Sequence, residues 1–260
     1  KEPRAMVILP IANVLLMGDA RQTYYPQYSF EREGRAEKDG RWLVPGQEEP
    51  RTNHLGHTLH LNTAAELRDA TRYYAHRPVF ERSHLSGLAG FAHVGRRRWS
   101  FHVDRGLSLL APAGLVSFVE IAQMGYIGVN LWHEFLNLGF RFTAMAGSDV
   151  PWGGSIGSTR VYAYTGSGVN PDRWFEAVRQ GHTFVTTGPM LEFTVNGALP
   201  GSVLKVRKGD VILVKARVWG NNPGARPVRL QLISFGRVLN EVSGNGTLET
   251  AIELNAERSF

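Results

Sequence analysis

Residues 44–62, VPGQEEPRTNHLGHTLHLN, join two apolar runs through a turn-rich connection. Glu48 follows the first run and His57 opens the second, so a carboxylate and an imidazole stand at the ends of two predicted strands. Side chains of these two types, brought together at strand ends, are the usual ligands of a hydrolytic metal site. A surface loop with one Glu and one His is common, so the weight of this stretch depends on the residues that follow it.

The composition is typical of a globular protein with a substantial core. The chain has 260 residues, of which 43% are hydrophobic and 20% are charged, so disorder is not expected. No run of about 18 apolar residues is present, which excludes a helix across a bilayer, and the first residues lack the features of a signal peptide.

The chain has no cysteine. Any metal must therefore be held by His, Asp or Glu, a Cys nucleophile is excluded, and no compartment is indicated.

The formal charge of +6, from 29 basic and 23 acidic residues, is compatible with an anionic partner. The densest basic cluster is Arg96-Arg97-Arg98. Because no aromatic or basic repeat accompanies it, we expect a solvated loop rather than a nucleic-acid surface.

Strand and helix patterns alternate through roughly the first 190 residues. We predict strands over 14–17, 42–44, 57–61, 87–93, 116–121 and 140–146, and helices over 64–74, 131–138 and 171–180. The last helix is the clearest, because Asn170 suits an N-cap, Pro171 the first helical position and Gly181 the C-terminal stop. We expect it to bury Trp174 and its apolar neighbours. The alternation predicts βα units around a mostly parallel sheet or barrel.

After Gly188-Pro189 the pattern changes to alternating segments joined by Gly, Asn and Pro turns. The segments cover 191–195, 211–218, 228–233, 237–242 and 248–254. Such a run is typical of a small antiparallel β-sandwich. We therefore predict an α/β domain over residues 1–189 and a β-sandwich domain over 190–260.

Polar residues stand at the ends of several predicted α/β strands. They are Glu48, His57, His93 and Asp149, with Asp19 as a fifth candidate. In barrel-like α/β folds the carboxyl ends of the strands converge on one face. Two His with two or three carboxylates suit Zn, Mn or Fe, and water on such ions ionises near neutral pH. Any single one of these residues is more often an ordinary polar loop residue, but their joint position favours a metal site.

Eight short motifs follow one another in the order Gly46-Gln-Glu48, Gly56-His57, Phe91-Ala-His93-Val, Phe118-Val-Glu-Ile121, Leu136-Asn-Leu-Gly-Phe-Arg141, Ala146-Gly-Ser-Asp149, Arg160-Val-Tyr162 and Thr183-Phe-Val-Thr-Thr-Gly-Pro189. Together they resemble the PHP (polymerase and histidinol phosphatase) superfamily, and within it the CehA/McbA-type metallohydrolases, which include carbaryl hydrolases. The resemblance runs from about Leu15 into the β-rich C-terminal part.

The resemblance implies a distorted (β/α)7 barrel that holds two or three divalent metal ions, Zn, Mn or Fe. It implies that Glu48 is the bridging ligand, that His57 and His93 are histidine ligands, and that Asp149 is the late aspartate. Asp19 matches the end of the second-strand motif. The implied activity is hydrolysis of a phosphoester, carbamate or related small-molecule ester by metal-activated water, with Glu48 and Asp149 as the catalytic carboxylates that hold the ions.

Three departures from the family pattern are present. No His-x-His motif precedes Asp19, Pro151 stands where the late Asp-x-His motif has its histidine, and the chain stops at Phe260, earlier than family members usually do. We therefore expect a fragment whose barrel is incomplete at the N-terminus and which holds part of the metal site. The alternative is a degenerate PHP scaffold that serves as a non-catalytic binding or interaction module. An upstream His-x-His motif would favour the enzyme.

Two further residues are candidates near the predicted site. Arg160 begins a strand after the glycine-rich segment 153–157. We predict that it binds an anionic group of the substrate, and a structural salt bridge is an equally good interpretation. Glu120 either orients a metal ligand or is a simple strand-end carboxylate. The sequence does not indicate the oligomeric state.

Overall fold

The computed structural model of the chain describes residues 8–13, 35–48, 50–52, 54–65, 67, 72, 75–95, 103–123, 126–150, 153, 155–220 and 224–257. These residues form a mixed α/β part followed by antiparallel sheets. Over the same ranges, no helix combines the length and the apolar character needed to cross a membrane.

Nine strands form one sheet in the first part of the chain. They are β1 (Ile8–Asn13), β2 (Ala36–Lys38), β3 (Arg41–Gln47), β4 (Arg51–Thr52), β5 (Gly56–Leu61), β6 (Leu88–Phe91), β7 (Phe118–Gln123), β8 (Tyr126–Ile127) and β9 (Thr143–Gly147). The main order is β1-β3-β5-β6-β7-β8, while β2 pairs with β3, β4 with β5, and β9 with β7.

The pairing in this sheet is mixed, whereas the sequence predicts a mostly parallel sheet. The pairs β1–β3, β6–β7 and β7–β9 are parallel, and β3–β5 and β5–β6 are antiparallel. The connection from β3 to β5 covers only 48–55, which is too short for the crossover that parallel neighbours need. No pairing between the described strands closes the sheet into a ring. The (β/α)7 barrel therefore stays a prediction.

Four helices occur in the described part of the chain: α1 (His76–His84), α2 (Val103–Leu110), α3 (Val129–Asn137) and α4 (Pro171–Gln180). The prediction for α4 is confirmed, since Oδ1 of Asn170 accepts a hydrogen bond from the Arg173 backbone N–H at 2.9 Å, and Gly181 has φ 74°. The helix expected over 131–138 corresponds to α3.

The sequence reasoning missed α1 and α2. Pro78 lies in the first turn of α1, where the missing N–H of proline is tolerated. The helix expected over 64–74 falls mostly outside the described residues. The strand expected over 14–17 and the candidate ligand Asp19 also lie outside them.

Apolar side chains cover both faces of the central strands. On β7, Phe118 packs into a cluster with the α4 side chains Phe175 and Val178, while Val119 and Ile121 pack into a second cluster with residues of α1, α2 and α3. Every residue of β6 and β7 is buried. Polar side chains are therefore most easily accommodated where these strands end.

The rest of the chain forms antiparallel sheets. The pair β10 (Arg160–Ala163) and β11 (Thr183–Thr186) precedes a three-stranded sheet of β12 (Met190–Val195), β13 (Val211–Trp219) and β16 (Leu248–Asn255), and a hairpin of β14 (Arg229–Ser234) and β15 (Arg237–Ser243). The last five strands match the five predicted segments. Leu232 of the hairpin packs on the cluster that contains Ile212 and Val214. A sandwich and a domain boundary at 189/190 remain predictions.

Candidate metal centre

Three of the predicted ligands meet in one buried cluster. Nδ1 of His57 lies 3.2 Å from Oε1 of Glu48 and 3.2 Å from Nε2 of His93. Ligand atoms of all three residues lie within 4.8 Å of one another. The residues are 8%, 3% and 8% exposed for Glu48, His57 and His93. A charged or lone-pair group buried this deeply requires a specific partner.

The strand order explains why these residues meet. Glu48 directly follows β3, His57 is the second residue of β5, and His93 comes two residues after β6. The end of β6 lies beside the start of β5, since Phe91 pairs with Thr58. The end of β3 pairs with the end of β5, at Gln47 and His60, and the chain then runs along β5 until Arg51 pairs with His57, so Glu48 lies between these two pairs. Neighbouring strands thus deliver all three side chains to one place.

The turn that presents His93 is held by three hydrogen bonds. The His93 backbone N–H donates to Oε2 of Glu120 at 2.8 Å, Val94 N–H donates to the Glu120 carbonyl at 2.8 Å, and Ala92 N–H donates to the His57 carbonyl at 3.1 Å. His93 has φ 38°, a left-handed conformation that side-chain-bearing residues seldom adopt. The surrounding bonds therefore have to offset the backbone strain.

Glu120 is the residue that fixes this turn, and it does so through the backbone of His93. The pKa of Glu120 is raised from its ordinary value near 4.5 to about 8, chiefly because the carboxyl group is buried. The hydrogen bond from His93 N–H lowers this pKa, whereas the negative charges of Glu48 and Asp149 raise it. A Cβ at Gly147 on β9 would lie 2.3 Å from Oε1 of Glu120. Glycine is required there because the carboxyl group occupies the space of a side chain.

Arg51 also belongs to the cluster, and the sequence reasoning missed it. Its Nε lies 3.1 Å from Oε1 of Glu48 in an ion pair, with both side chains largely buried. Arg51 stands opposite His57 in the β4–β5 pairing. The signal that could have found it is the three-residue spacing from Glu48, because β3 and β4 run in the same direction along β5 with only 48–50 between them.

The donor set of this cluster fits a divalent ion. Around an ion with bonds of about 2.0–2.1 Å, adjacent ligand atoms lie roughly 3.0–3.4 Å apart, and the two measured separations at His57 Nδ1 are 3.2 Å. Two imidazole nitrogens and one carboxylate oxygen are ligands that Zn, Mn and Fe accept. Glu48, His57 and His93 are therefore the described residues that could hold a metal.

Two other predicted site residues that the structure describes, Asp149 and Arg160, do not join this trio. Asp149 lies two residues past β9 with φ 49°, half-buried, and near enough for its charge to raise the pKa of Glu120. Arg160 on β10 donates from Nη1 to the Gly157 carbonyl at 2.6 Å, and its Cζ lies 5.9 Å from the ring centre of Tyr162. Neither residue contributes to the group of three ligand atoms.

Gln123, at the end of β7, is a second residue that sequence reasoning missed. The register of β7 against β9 shifts between Glu120 and Ala122, so Gln123 stands opposite Gly147. This bulge turns Gln123 to the face that carries Glu120, although residues three apart on a regular strand point to opposite faces. Gln123 is 7% exposed, and its Oε1 makes no hydrogen bond with any group that the structure describes.

The likeness of this chain to known proteins is distant. No protein-family model and no curated protein matches the chain. The fold is similar to the crystal structure of a two-domain protein from Bacteroides vulgatus ATCC 8482, described as containing a predicted PHP-like metal-dependent phosphoesterase. The sequences are 11% identical, the TM-score is 0.45, and the alignment covers 82% of this chain and 66%, just under two thirds, of the other. A likeness this distant assigns neither a family nor an activity.

Proposed function

We propose that this chain is a metal-dependent hydrolase of the PHP type, in which Glu48, His57 and His93 bind a divalent ion. The observation that carries the proposal is the convergence of these three buried side chains at one edge of the sheet, with ligand atoms within 4.8 Å. The resemblance of the eight sequence motifs supports the choice of the PHP family, of its CehA/McbA-type branch and of its barrel fold. In this proposal the mixed α/β part belongs to that barrel, and the C-terminal sheets form a sandwich domain.

A bound ion of this kind polarises an ester oxygen and makes water nucleophilic near neutral pH. The side chains of the chain itself have separate tasks in the proposal. Glu48 supplies negative charge, His57 and His93 supply neutral nitrogens, and Glu120 keeps His93 in place through its backbone N–H. Asp149 is the second carboxylate at this edge. The proposed substrate is a phosphoester, carbamate or related ester, with Arg160 binding an anionic group.

Metal content is the first test of this proposal. The purified 260-residue chain and its Glu48→Ala and His93→Ala variants are equilibrated with Zn²⁺ or Mn²⁺, dialysed and subjected to elemental analysis. His182→Ala, which changes a histidine outside the cluster, is the control. We expect metal in the wild type and in the control, and at least a tenfold weaker affinity in both cluster variants, because each loses one ligand of three. Equal metal content in all four proteins would reject the centre.

Hydrolysis is then assayed on the metal-loaded chain with p-nitrophenyl phosphate, bis(p-nitrophenyl) phosphate and p-nitrophenyl acetate. Release of p-nitrophenol that is lost with His93→Ala supports the enzyme.

A second candidate function, a non-catalytic binding module, is favoured by Pro151 at a family ligand position and by the ion pair that Arg51 forms with Glu48. Metal binding without hydrolysis of any of the three probes would favour that module.

A further inference from the structure

The ion pair between Arg51 and Glu48 bears on how many ions the proposed centre holds. We infer that Arg51 supplies the second positive charge on Glu48, so that this carboxylate serves one divalent ion and does not bridge two. The inference rests on the proposed metal centre, and it departs from the two or three ions that the family resemblance implies.

The geometry at Glu48 is the first reason. Oε1 faces two nitrogens, His57 Nδ1 at 3.2 Å and Arg51 Nε at 3.1 Å. An ion held by His57 and His93 would take Glu48 as its third ligand, on the side of Oε1 that faces the imidazoles. The guanidinium of Arg51 already lies against the same oxygen, so a single carboxylate is shared between one ion and one arginine.

The backbone around Arg51 is the second reason, because it keeps the guanidinium where it is. Arg51 and Thr52 pair with His57 and Gly56 in the short β4–β5 ladder. The Pro50 carbonyl accepts hydrogen bonds from both N–H and Oγ1 of Thr58, at 3.2 and 3.1 Å. These bonds hold residues 50–52 beside β5, so the arginine is part of the folded edge rather than a free surface side chain.

Charge is the third reason. A guanidinium stays protonated at any ordinary pH, and the Arg51 and Glu48 side chains are only 15% and 11% exposed, so solvent screens their charges poorly. A second divalent ion on the remaining oxygen of Glu48 would face both the first ion and Arg51. In the described ranges, Glu48, His57 and His93 form the one group of three possible metal ligands, and Asp149, whose charge reaches Glu120, lies outside that group.

The test counts Mn²⁺ ions and asks whether they are magnetically coupled. The 260-residue chain is titrated with Mn²⁺, the bound metal is measured by equilibrium dialysis, and electron paramagnetic resonance distinguishes an isolated ion from an exchange-coupled pair. We expect one isolated Mn²⁺ in the wild type. Arg51→Met, which removes the charge and keeps an extended side chain, should take up a second, weaker Mn²⁺ that couples to the first through Glu48.

Two controls separate charge from general damage. Arg51→Lys keeps the positive charge and should still bind one ion. Arg77→Met breaks an exposed Arg–Glu pair on α1, with Nε of Arg77 at 2.7 Å from Oε1 of Glu81, and should behave as the wild type. Circular dichroism checks the folding of each variant, and Arg51→Gln replaces Arg51→Met if the latter does not fold.

The outcomes are distinct. A coupled pair in the wild type, or a single ion in a folded Arg51→Met variant, would overturn the role of Arg51 and leave the metal centre intact. No bound ion in the wild type would remove the metal centre itself, and with it both the proposed function and this inference.

Discussion

The strands around the candidate metal centre and the strands of the C-terminal sheets are buried in different ways. Every residue of β6 and β7 is buried, whereas exposed residues alternate with buried or half-buried residues along β13 and β16. In the C-terminal sheets a polar side chain can face water. On β6 and β7 it cannot, so each polar group on or just after these strands needs a partner or a ligand. Polar residues are therefore more informative in the first region.

The largest expected contrast concerns the pH dependence of stability in the metal-free protein. The pKa of Glu120 is raised to about 8 in the folded chain, so the folded state binds a proton that the unfolded state releases above about pH 4.5. Stability should fall as the pH rises from about 5 to 8, by roughly 3–5 kcal/mol. Glu120→Gln stays neutral and can still accept from His93 N–H, so it should lose most of this dependence.

Urea denaturation at pH 5 and pH 8.5, with a chelator present, measures this effect. Glu253→Gln, on the exposed side of β16, is the matched substitution in the C-terminal sheets. It should change the free energy of unfolding by no more than about 0.5 kcal/mol at either pH. A wild type whose stability is equal at both pH values would contradict the buried, protonated state of Glu120.

The next contrast compares two glycines. A methyl group at Gly147 would meet Oε1 of Glu120 at 2.3 Å, and one at Gly244 would meet Cδ2 of Leu248 at 2.6 Å. The leucine methyl ends a side chain that can rotate, but the Glu120 carboxyl group also holds His93 N–H. We expect Gly147→Ala to cost about 2–3 kcal/mol and Gly244→Ala about 1 kcal/mol or less.

Denaturation gives these stabilities, and Mn²⁺ titration gives a second measure. Gly147→Ala should also weaken metal binding by about tenfold or more, because it displaces a group that orients a ligand, while Gly244→Ala should leave metal binding unchanged. Equal effects of the two substitutions on metal affinity would mean that Glu120 does not position His93.

The smallest contrast concerns two side-chain amides. Oε1 of Gln123 is buried without a described hydrogen-bond partner, whereas Nδ2 of Asn240 on β15 donates to Oγ1 of Thr250 at 2.7 Å. Gln123→Met removes an unsatisfied polar group at nearly constant volume and should stabilise the chain by about 1 kcal/mol. Asn240→Ala should destabilise it by a similar amount. Thermal and urea unfolding measure both changes, and a less stable Gln123→Met variant would contradict the account of Gln123.

Several parts of the fold followed from local chemistry. The helix α4 carries its start and stop signals in Asn170, Pro171 and Gly181, and the C-terminal strands carry a period-two pattern with turn residues between them. The helix α1 carries no such start signal, because its N-cap is Ala75, whose side chain makes no capping hydrogen bond. The mixed pairing was also missed, because strand direction depends on which strands become neighbours and no local pattern records that.

The candidate site divides in the same way. The positions of Glu48, His57 and His93 beside apolar runs were enough to nominate them as ligands. Arg51 and Gln123 were not foreseen. The position of Arg51 depends on the pairing of β4 with β5, and that of Gln123 depends on a bulge that reverses the expected face. Asp149 and Arg160 were predicted from the same kind of position at the end of a strand, yet they lie outside the group of three ligand atoms.

By itself, the sequence determined the kinds of ligand available, the absence of thiolates, the helix α4 and the alternating C-terminal strands, because these depend on residue chemistry and on periods of a few residues. Only the tertiary structure decided which polar groups meet. Glu48 and His93 are 45 positions apart and share a cluster with His57 because the segment after β3 and the segment after β6 both lie beside β5. The protonated state of Glu120 and the charge that Arg51 adds likewise arise from burial and proximity, which no short stretch of the chain encodes.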